Sequence, residues 1–259
     1  MEKTSTYFNS TRIAVIAVFS TLAGVLYIFG FPIAAAFPSW LELNFSDIPA
    51  LIGTFALGPV SGAIIVFIKI LIKLLIKGTS TVFVGELADF LIGVAFVVPA
   101  GLIYKKTRSF KGALIALAAG TAGSTLMSML ANWAVLVPFY KQLFFHGSWT
   151  PLVGTMQAIF GEKCTVGTFY VYYIFCSVLP FNLMRCIIAV AVTLPVYKHV
   201  SRLINRINIK LSPPPPETEE ARAEQAKRGR KTAVITVCVV SAVVLLMVGG
   251  ALLRYFLTK

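Results

Sequence analysis

Residues 87–104 read LADFLIGVAFVVPAGLIY, and Lys105, Lys106, Arg108 and Lys111 follow at once. Eighteen residues with a single charge, Asp89, come close to the roughly 20 apolar residues that cross a bilayer as one helix. A basic cluster directly after such a run marks the cytoplasmic side. The stretch therefore predicts a transmembrane helix, and the chain on either side repeats the pattern.

Towards the N-terminus, 60–76 is a second apolar run, interrupted only by Lys69 and Lys73. Gly58-Pro59 separates it from the ten residues 48–57, too few for an upright crossing, so a short or broken helix is expected there. A loop at 32–47 leads back to a first run, 13–31, behind Lys3 and Arg12. Ala34-Ala35-Ala36 resembles a signal-peptidase site, but the run before it exceeds the roughly 7–15-residue core of a signal peptide. It reads as a retained first helix.

Towards the C-terminus, runs at 113–140 and 167–197 flank a polar segment, 141–163. Lys198, Arg202, Arg206 and Lys210 then recur every fourth residue, a basic helical stripe suited to the cytoplasmic surface. Pro213 to Pro216 ends any helix, and 217–231 has mixed charge without apolar periodicity, as in a solvated linker that starts as polyproline II. A last run, 233–253, predicts one more span. The expected fold is all-α and polytopic: a six-helix membrane domain over 1–211, a Pro-rich charged cytoplasmic linker over 212–231, and an additional C-terminal transmembrane helix over 232–259.

Composition agrees. Of 259 residues, 58% are hydrophobic and 13% charged, against about 25% charged in soluble domains, and the mean hydropathy is +0.84. A water-soluble globule is excluded. The net charge of +13 does not point to nucleic acid, because most of the Lys and Arg flank apolar runs. With the N-terminus inside, fifteen basic residues fall on the cytoplasmic side and five outside, leaving Lys69, Lys73 and Arg185 within spans. That asymmetry predicts the orientation. Cys164, Cys176, Cys186 and Cys238 show no CxxC spacing, so no metal site is expected.

Polar side chains in hydrocarbon cost about 2.5–3.5 kcal/mol when charged and usually face a cavity, a partner or a ligand. Asn132 lies deep in its run, and Asn182 and Arg185, three residues apart, share a helix face beside Pro180. The alternative reading is an interhelical network that only stabilises the bundle. Glu86 and Asp89 form a second pair three apart; acids near a helix N-terminus are also favourable on dipole grounds alone. Lys69 and Lys73 are expected to snorkel to the outer surface. Trp40, Trp133 and Trp149 suit an interfacial belt, and Trp133, next to Asn132, could also stack on a flat ligand. A nucleotide-binding P-loop is missing: 154–163 reads GTMQAIFGEK, without GK[ST]. No HExxH, GxSxG or facing catalytic pair is present.

Three segments in order, LELNFSDIPAL at 41–51, ALGPVSG at 56–62 and GELADFL at 85–91, followed by Asn132, VPFY at 137–140 and PFN at 180–182, resemble the riboflavin-specific S components of bacterial energy-coupling factor (ECF) transporters. The resemblance covers roughly 10–205. It implies a six-helix protein that captures riboflavin from the outer side beneath the loop between the first two helices. Riboflavin would be the transported ligand, and no cofactor is expected. The resemblance places Glu42, Leu43 and Asn44 in that loop, Asn132 on the fifth helix, and Asn182 and Arg185 on the sixth as substrate contacts. Lysine is usual in the family where this chain carries Arg185, and position 42 varies. With Glu86, Asp89 and Trp133 added from the residue-level reading, these form the candidate substrate site.

The family also implies partners: a transmembrane coupling protein and two cytoplasmic ATPase subunits, in a membrane of lipid. Docking would use small residues of the first helix, Ala17, Ser20, Thr21 and Gly24, whose spacing of four permits close approach; internal packing of that helix is the alternative. Alternative functions are an S component for flavin mononucleotide or a different vitamin, a small intramembrane enzyme, or a scaffold.

Overall fold

A computed structural model describes residues 10–211, with side chains over 12–196. The expected linker and the run at 233–253 lie outside the described residues. Helix α1 (Ser10–Ile28) ends where Gly30 opens a small hairpin, β1 (Phe31–Pro32) paired antiparallel with β2 (Glu42–Leu43). Helices α2 (Asp47–Leu57), α3 (Pro59–Lys77) and α4 (Val84–Thr107) follow. Next come α5 (Phe110–Ala131), a π-helical turn (Asn132–Leu136) and α6 (Val137–Phe145), which run together as one rod, Phe110–Phe145. A surface helix α7 (Thr150–Phe160) precedes α8 (Phe169–Val171), a second π turn (Tyr172–Val178) and α9 (Leu179–Leu211).

Four of these rods are long and apolar enough to cross a membrane: Pro59–Lys77, Val84–Thr107, Phe110–Phe145 and Phe169–Val196. The apolar helices Arg12–Ile28 and Asp47–Leu57 are shorter. The bundle is therefore all-α apart from the two-residue hairpin, as its sequence leads one to expect. Between α2 and α3 the chain reverses at Gly58, whose φ of 94° lies in the region that favours glycine, and Pro59 starts α3 at its first position, where no N–H is needed.

Local chemistry accounts for the departures from regular helix. Proline removes the bond to the carbonyl four residues back and clashes with it. Both π turns end just before a proline, Pro138 and Pro180, so the wider turn takes up that clash and the rods continue. The segment 141–163, expected to be polar loop, instead carries α6 onward and forms α7. There Leu152, Val153 and Met156 make a one-sided stripe that packs on Phe169 and Tyr173. Sequence polarity concealed it because only three of the helix's residues are buried.

The core lies between α2, α3, α4, α5 and α9, with Leu51, Ile65, Val66, Phe96 and Val97 fully buried. Helices α4 and α5 approach most closely where α5 has glycine: a Cβ at Gly120 would stand 2.6 Å from the carbonyl oxygen of Phe96, and one at Gly123 2.6 Å from that of Ala95. Small residues at a helix contact let membrane helices pack backbone to backbone. Gly120→Val should force the two helices apart and destabilise the protein by about 1–3 kcal/mol, read as a lower thermal midpoint in detergent, whereas Gly154→Ala, whose Cβ would meet nothing within 4 Å, should leave the midpoint unchanged.

Candidate functional site

The hairpin folds the outer loop inward. Pairing of Phe31 with Leu43 buries Leu43 and leaves Glu42 exposed beside Gly30. The next residues, Asn44 and Ser46, then descend onto the start of α2. Ser46 donates its hydroxyl to Asn44 Oδ1 at 2.7 Å, a local turn of the kind Asn and Ser favour.

Beneath this loop, Asp47 is 3% exposed and Lys69, from the middle of α3, is 4% exposed. Lys69 Nζ donates to Asp47 Oδ1 at 2.8 Å and to Ser46 Oγ at 2.8 Å. On the other side of the same carboxylate, Arg185 Nε of α9 stands 3.5 Å from Asp47 Oδ2, and Arg185 Nη2 donates to Ser124 Oγ of α5 at 3.3 Å. Arg185 Nε makes no hydrogen bond among the described residues. A guanidinium offers five donors, so this buried cation is underbonded.

These groups line a small hollow with room for about one water molecule. Its remaining wall comes from α4 and α1. Asp89 accepts a hydrogen bond from the Tyr27 hydroxyl, and Gly93, one turn along from Asp89, completes the lining. The cavity thus joins five helices and the outer loop with two acids, two bases, a phenol and an amide.

Of the residues predicted from sequence, Asn44, Asp89 and Arg185 line this cavity. Glu86 does not. It is buried in a separate cage, accepting from Lys73 Nζ at 2.6 Å and from the hydroxyls of Thr79 and Thr81 at 3.0 and 2.9 Å. The same two hydroxyls accept the backbone N–H groups of Phe83 and Gly85, and so hold the turn in which Val82 and Phe83 adopt φ of 49° and 64°. Left-handed backbone at such residues costs about 1–3 kcal/mol and persists only when its surroundings fix it. Glu86 is accordingly a fastening for the α3–α4 turn.

Asn132 and Asn182 are buried outside the cavity lining. Asn182 Nδ2 donates to the Val178 carbonyl at 2.8 Å, within the π turn. Asn132 Nδ2 donates to the Ser128 carbonyl at 2.9 Å, and its Oδ1 accepts from Tyr173 at 2.7 Å. Tyr173 in turn accepts from Trp40 Nε1 of the outer loop at 3.0 Å, and Phe37 of the same loop meets the Phe181 ring edge-on at 5.3 Å. Both asparagines therefore sit under the loop, tied to it through aromatic neighbours. Trp133 is 47% exposed and does not line the hollow.

The lysines require a correction. Neither Lys69 nor Lys73 snorkels, because each has a carboxylate within 2.8 Å, and pairing inside the bundle replaces the water that snorkelling would seek. Asp47, Lys69, Tyr27 and Ser46 are the site residues that sequence reasoning missed. The available signal was stoichiometric: a lysine fixed amid apolar residues calls for an acid, and Asp47, at the head of the preceding run, is one of the few in reach.

On α1 the small residues divide. Ser20 and Gly24 are buried, and a Cβ at Gly24 would come within 2.8 Å of Ile72 on α3, so both face the interior of the bundle. Ala17 and Thr21 are exposed, between Ile13, Val18, Leu22 and Val25, which are exposed as well.

Comparison with known proteins decides the family. The profile of the ECF transporter, substrate-specific component, matches residues 11–197. The chain belongs to this family. It is 31% identical over 199 residues to the riboflavin transporter RibU of Staphylococcus aureus, covering 77% of this chain and 95% of that one. Similarity to the riboflavin transporter FmnP of Bacillus subtilis is 33% over 136 residues, or 52% and 70% of the two chains. A solved structure described as the S component of a bacterial ECF transporter superposes with a TM-score of 0.58 at 29% identity, covering 75% of this chain and 97% of that one. The chain is a membrane-embedded transport subunit, which sets aside the intramembrane-enzyme and scaffold alternatives.

Removing one partner of a buried ion pair leaves an uncompensated charge and costs about 3–5 kcal/mol. Asp47→Ala, which orphans both Lys69 and Arg185, should therefore lower the thermal midpoint more than Lys69→Met, which leaves Asp47 its arginine. The double variant should fall short of the sum of the two in a double-mutant cycle.

Proposed function

We propose that the protein captures riboflavin at the outer face of the cell membrane for ATP-driven uptake. The observation that carries this reading is the underbonded Arg185 guanidinium, facing a cavity that also holds an acid and a phenol, in a chain whose relatives are named riboflavin transporters. Isoalloxazine is flat and largely apolar, with carbonyls on one edge, and its ribityl chain carries hydroxyls. Arg185 and Lys69 offer donors to the carbonyls, and Asp89 and Asn44 offer acceptors to the hydroxyls.

A hollow with room for about one water molecule is far smaller than the roughly 300–1,000 Å³ of drug-sized ligand sites. Entry of a tricyclic ring therefore requires the loop at 29–46 to lift, moving Phe37 and Trp40 off Phe181 and Tyr173. That displacement brings the ring over Asn132 and Asn182, whose amides lie under those same aromatic residues. Leu43 would then cap the ring, while Glu42 stays at the rim.

Energy for release would come from partners, since no nucleotide-binding loop is present in the sequence: a transmembrane coupling protein and two cytoplasmic ATPase subunits. Ala17 and Thr21, on the outward strip of α1, offer the close approach that such a coupling helix needs. The N-terminus and the 105–111 loop are assigned to the cytoplasm, and the hairpin to the outside, from the basic-residue bias.

Purified protein titrated with riboflavin should quench flavin fluorescence with a dissociation constant in the nanomolar range; no quenching at micromolar riboflavin would sink the reading. Arg185→Ala should weaken binding by about 1.5–3 kcal/mol, roughly ten- to a hundredfold, if the guanidinium meets the ligand. For orientation, a cysteine introduced at Arg108 should resist membrane-impermeant maleimide in intact cells, while one at Glu42 should react.

A further inference from the structure

We propose that Asp89, held by Tyr27, selects a ligand with a free hydroxyl terminus over its phosphate ester. This rests on the riboflavin reading and adds the group that sets specificity at that site.

Charge pairing in and beside the cavity is uneven. Asp47 serves two cations, Lys69 and Arg185, and Glu86 takes Lys73. Asp89 has no cation within 4 Å among the described residues; the hydrogen bond it receives comes from the Tyr27 hydroxyl. Lys69 and Lys73 lie 5.5 and 6.0 Å from the centre of the Tyr27 ring, so that ring stands near both ammonium groups while its hydroxyl turns to the carboxylate. Arg185 and Lys69 on α9 and α3 only donate. Asp89 on α4, when ionised, only accepts.

A ligand with carbonyl acceptors at one end and hydroxyl donors at the other satisfies both sides in one orientation. Its carbonyls go to Arg185, and its terminal hydroxyls go to Asp89 Oδ1, the oxygen that Tyr27 does not occupy. A phosphate ester replaces the terminal donor, and that one only, with about 1.5 to 2 negative charges near pH 7. In the same orientation it sets an anion against Asp89 in a site poorly screened by water. Reversing the ligand would pair the phosphate with Arg185 but leave the ring carbonyls facing a carboxylate. Discrimination therefore arises from a repulsive element placed against the competitor.

The test compares riboflavin, flavin mononucleotide and a riboflavin analogue bearing a terminal ammonium on the full-length purified protein, by fluorescence titration. The wild type should bind riboflavin at least tenfold more tightly than the phosphate ester, and the ammonium analogue at least as tightly as riboflavin. Asp89→Asn should bring riboflavin and the phosphate ester within about threefold of each other. Tyr27→Phe, which frees the carboxylate but keeps its charge, should preserve the preference.

Phosphate-ester binding by the wild type as tight as riboflavin would overturn the inference. So would an Asp89→Asn variant that keeps the wild-type ratio or weakens both ligands equally. If that variant does not fold, the order of the three termini on the wild type decides. Should none of the three bind the wild type, the riboflavin reading itself has failed.

Discussion

A buried carboxylate between two cations governs how this bundle closes. Asp47 stands at the N-terminus of α2, where the helix dipole favours negative charge, yet a lone carboxylate there would be far too costly in a low-dielectric interior. Lys69 from α3 at 2.8 Å and Arg185 from α9 at 3.5 Å make its burial tolerable. Three helices are thereby held in one register through Asp47, whose withdrawal would strand both cations. The loop is tied to the same point, for Lys69 also bonds Ser46, and Ser46 bonds Asn44. Position of the outer hairpin is thus set by an ion pair at the bundle's interior.

A second polar chain reaches the loop from the other side. Asn132 and Tyr173 each lie in a π turn, and each turn is followed two residues later by a proline, Pro138 or Pro180. A π turn is rare and tends to occur at functional positions. Here the two widened turns face each other through the bond from Tyr173 to Asn132, and Trp40 extends it to the loop. The loop is therefore held by charge on one side and by neutral hydrogen bonds and ring contacts on the other. The neutral attachment is the weaker, because each bond contributes only about 0.5–1.5 kcal/mol net. Lifting on that side leaves the Asp47 centre intact.

The spans were legible in the sequence because burial in lipid demands long apolar runs and basic flanks, and both are local features. α3 and α4 fall where their runs lie, and Gly58-Pro59 marks the entry to α3. Two things escaped. Helix α7 carries its apolar residues on one narrow stripe, so composition over the segment reads as loop. Pairing of Lys69 with Asp47 joins residues 22 apart, and nothing local tells a lysine that snorkels from one that finds an acid across a helix interface. Arg185 was recognisable as unusual from its position alone. Its partners were not, since they come from α2 and α5 and meet it only after the bundle forms. Asn132 and Asn182 were legible as buried amides, but not that each donates to its own helix four residues back.

Those self-directed amide bonds bear on how an S component of this kind can discriminate. Polar groups inside the bundle are largely satisfied by protein, so a ligand exchanges hydrogen bonds more than it adds them, and the exchange contributes little net free energy. On the riboflavin reading, affinity would come mostly from burying a flat apolar ring against Phe37, Phe181 and Leu43, at about 25 cal/mol per Å² of apolar surface. On the same reading, selectivity would fall to Arg185, whose Nε has no hydrogen-bond partner among the described residues, and to Asp89. A wrong ligand is rejected less by lost attraction than by leaving the guanidinium without an acceptor or the carboxylate without a donor, each a buried charge that water cannot reach to relieve.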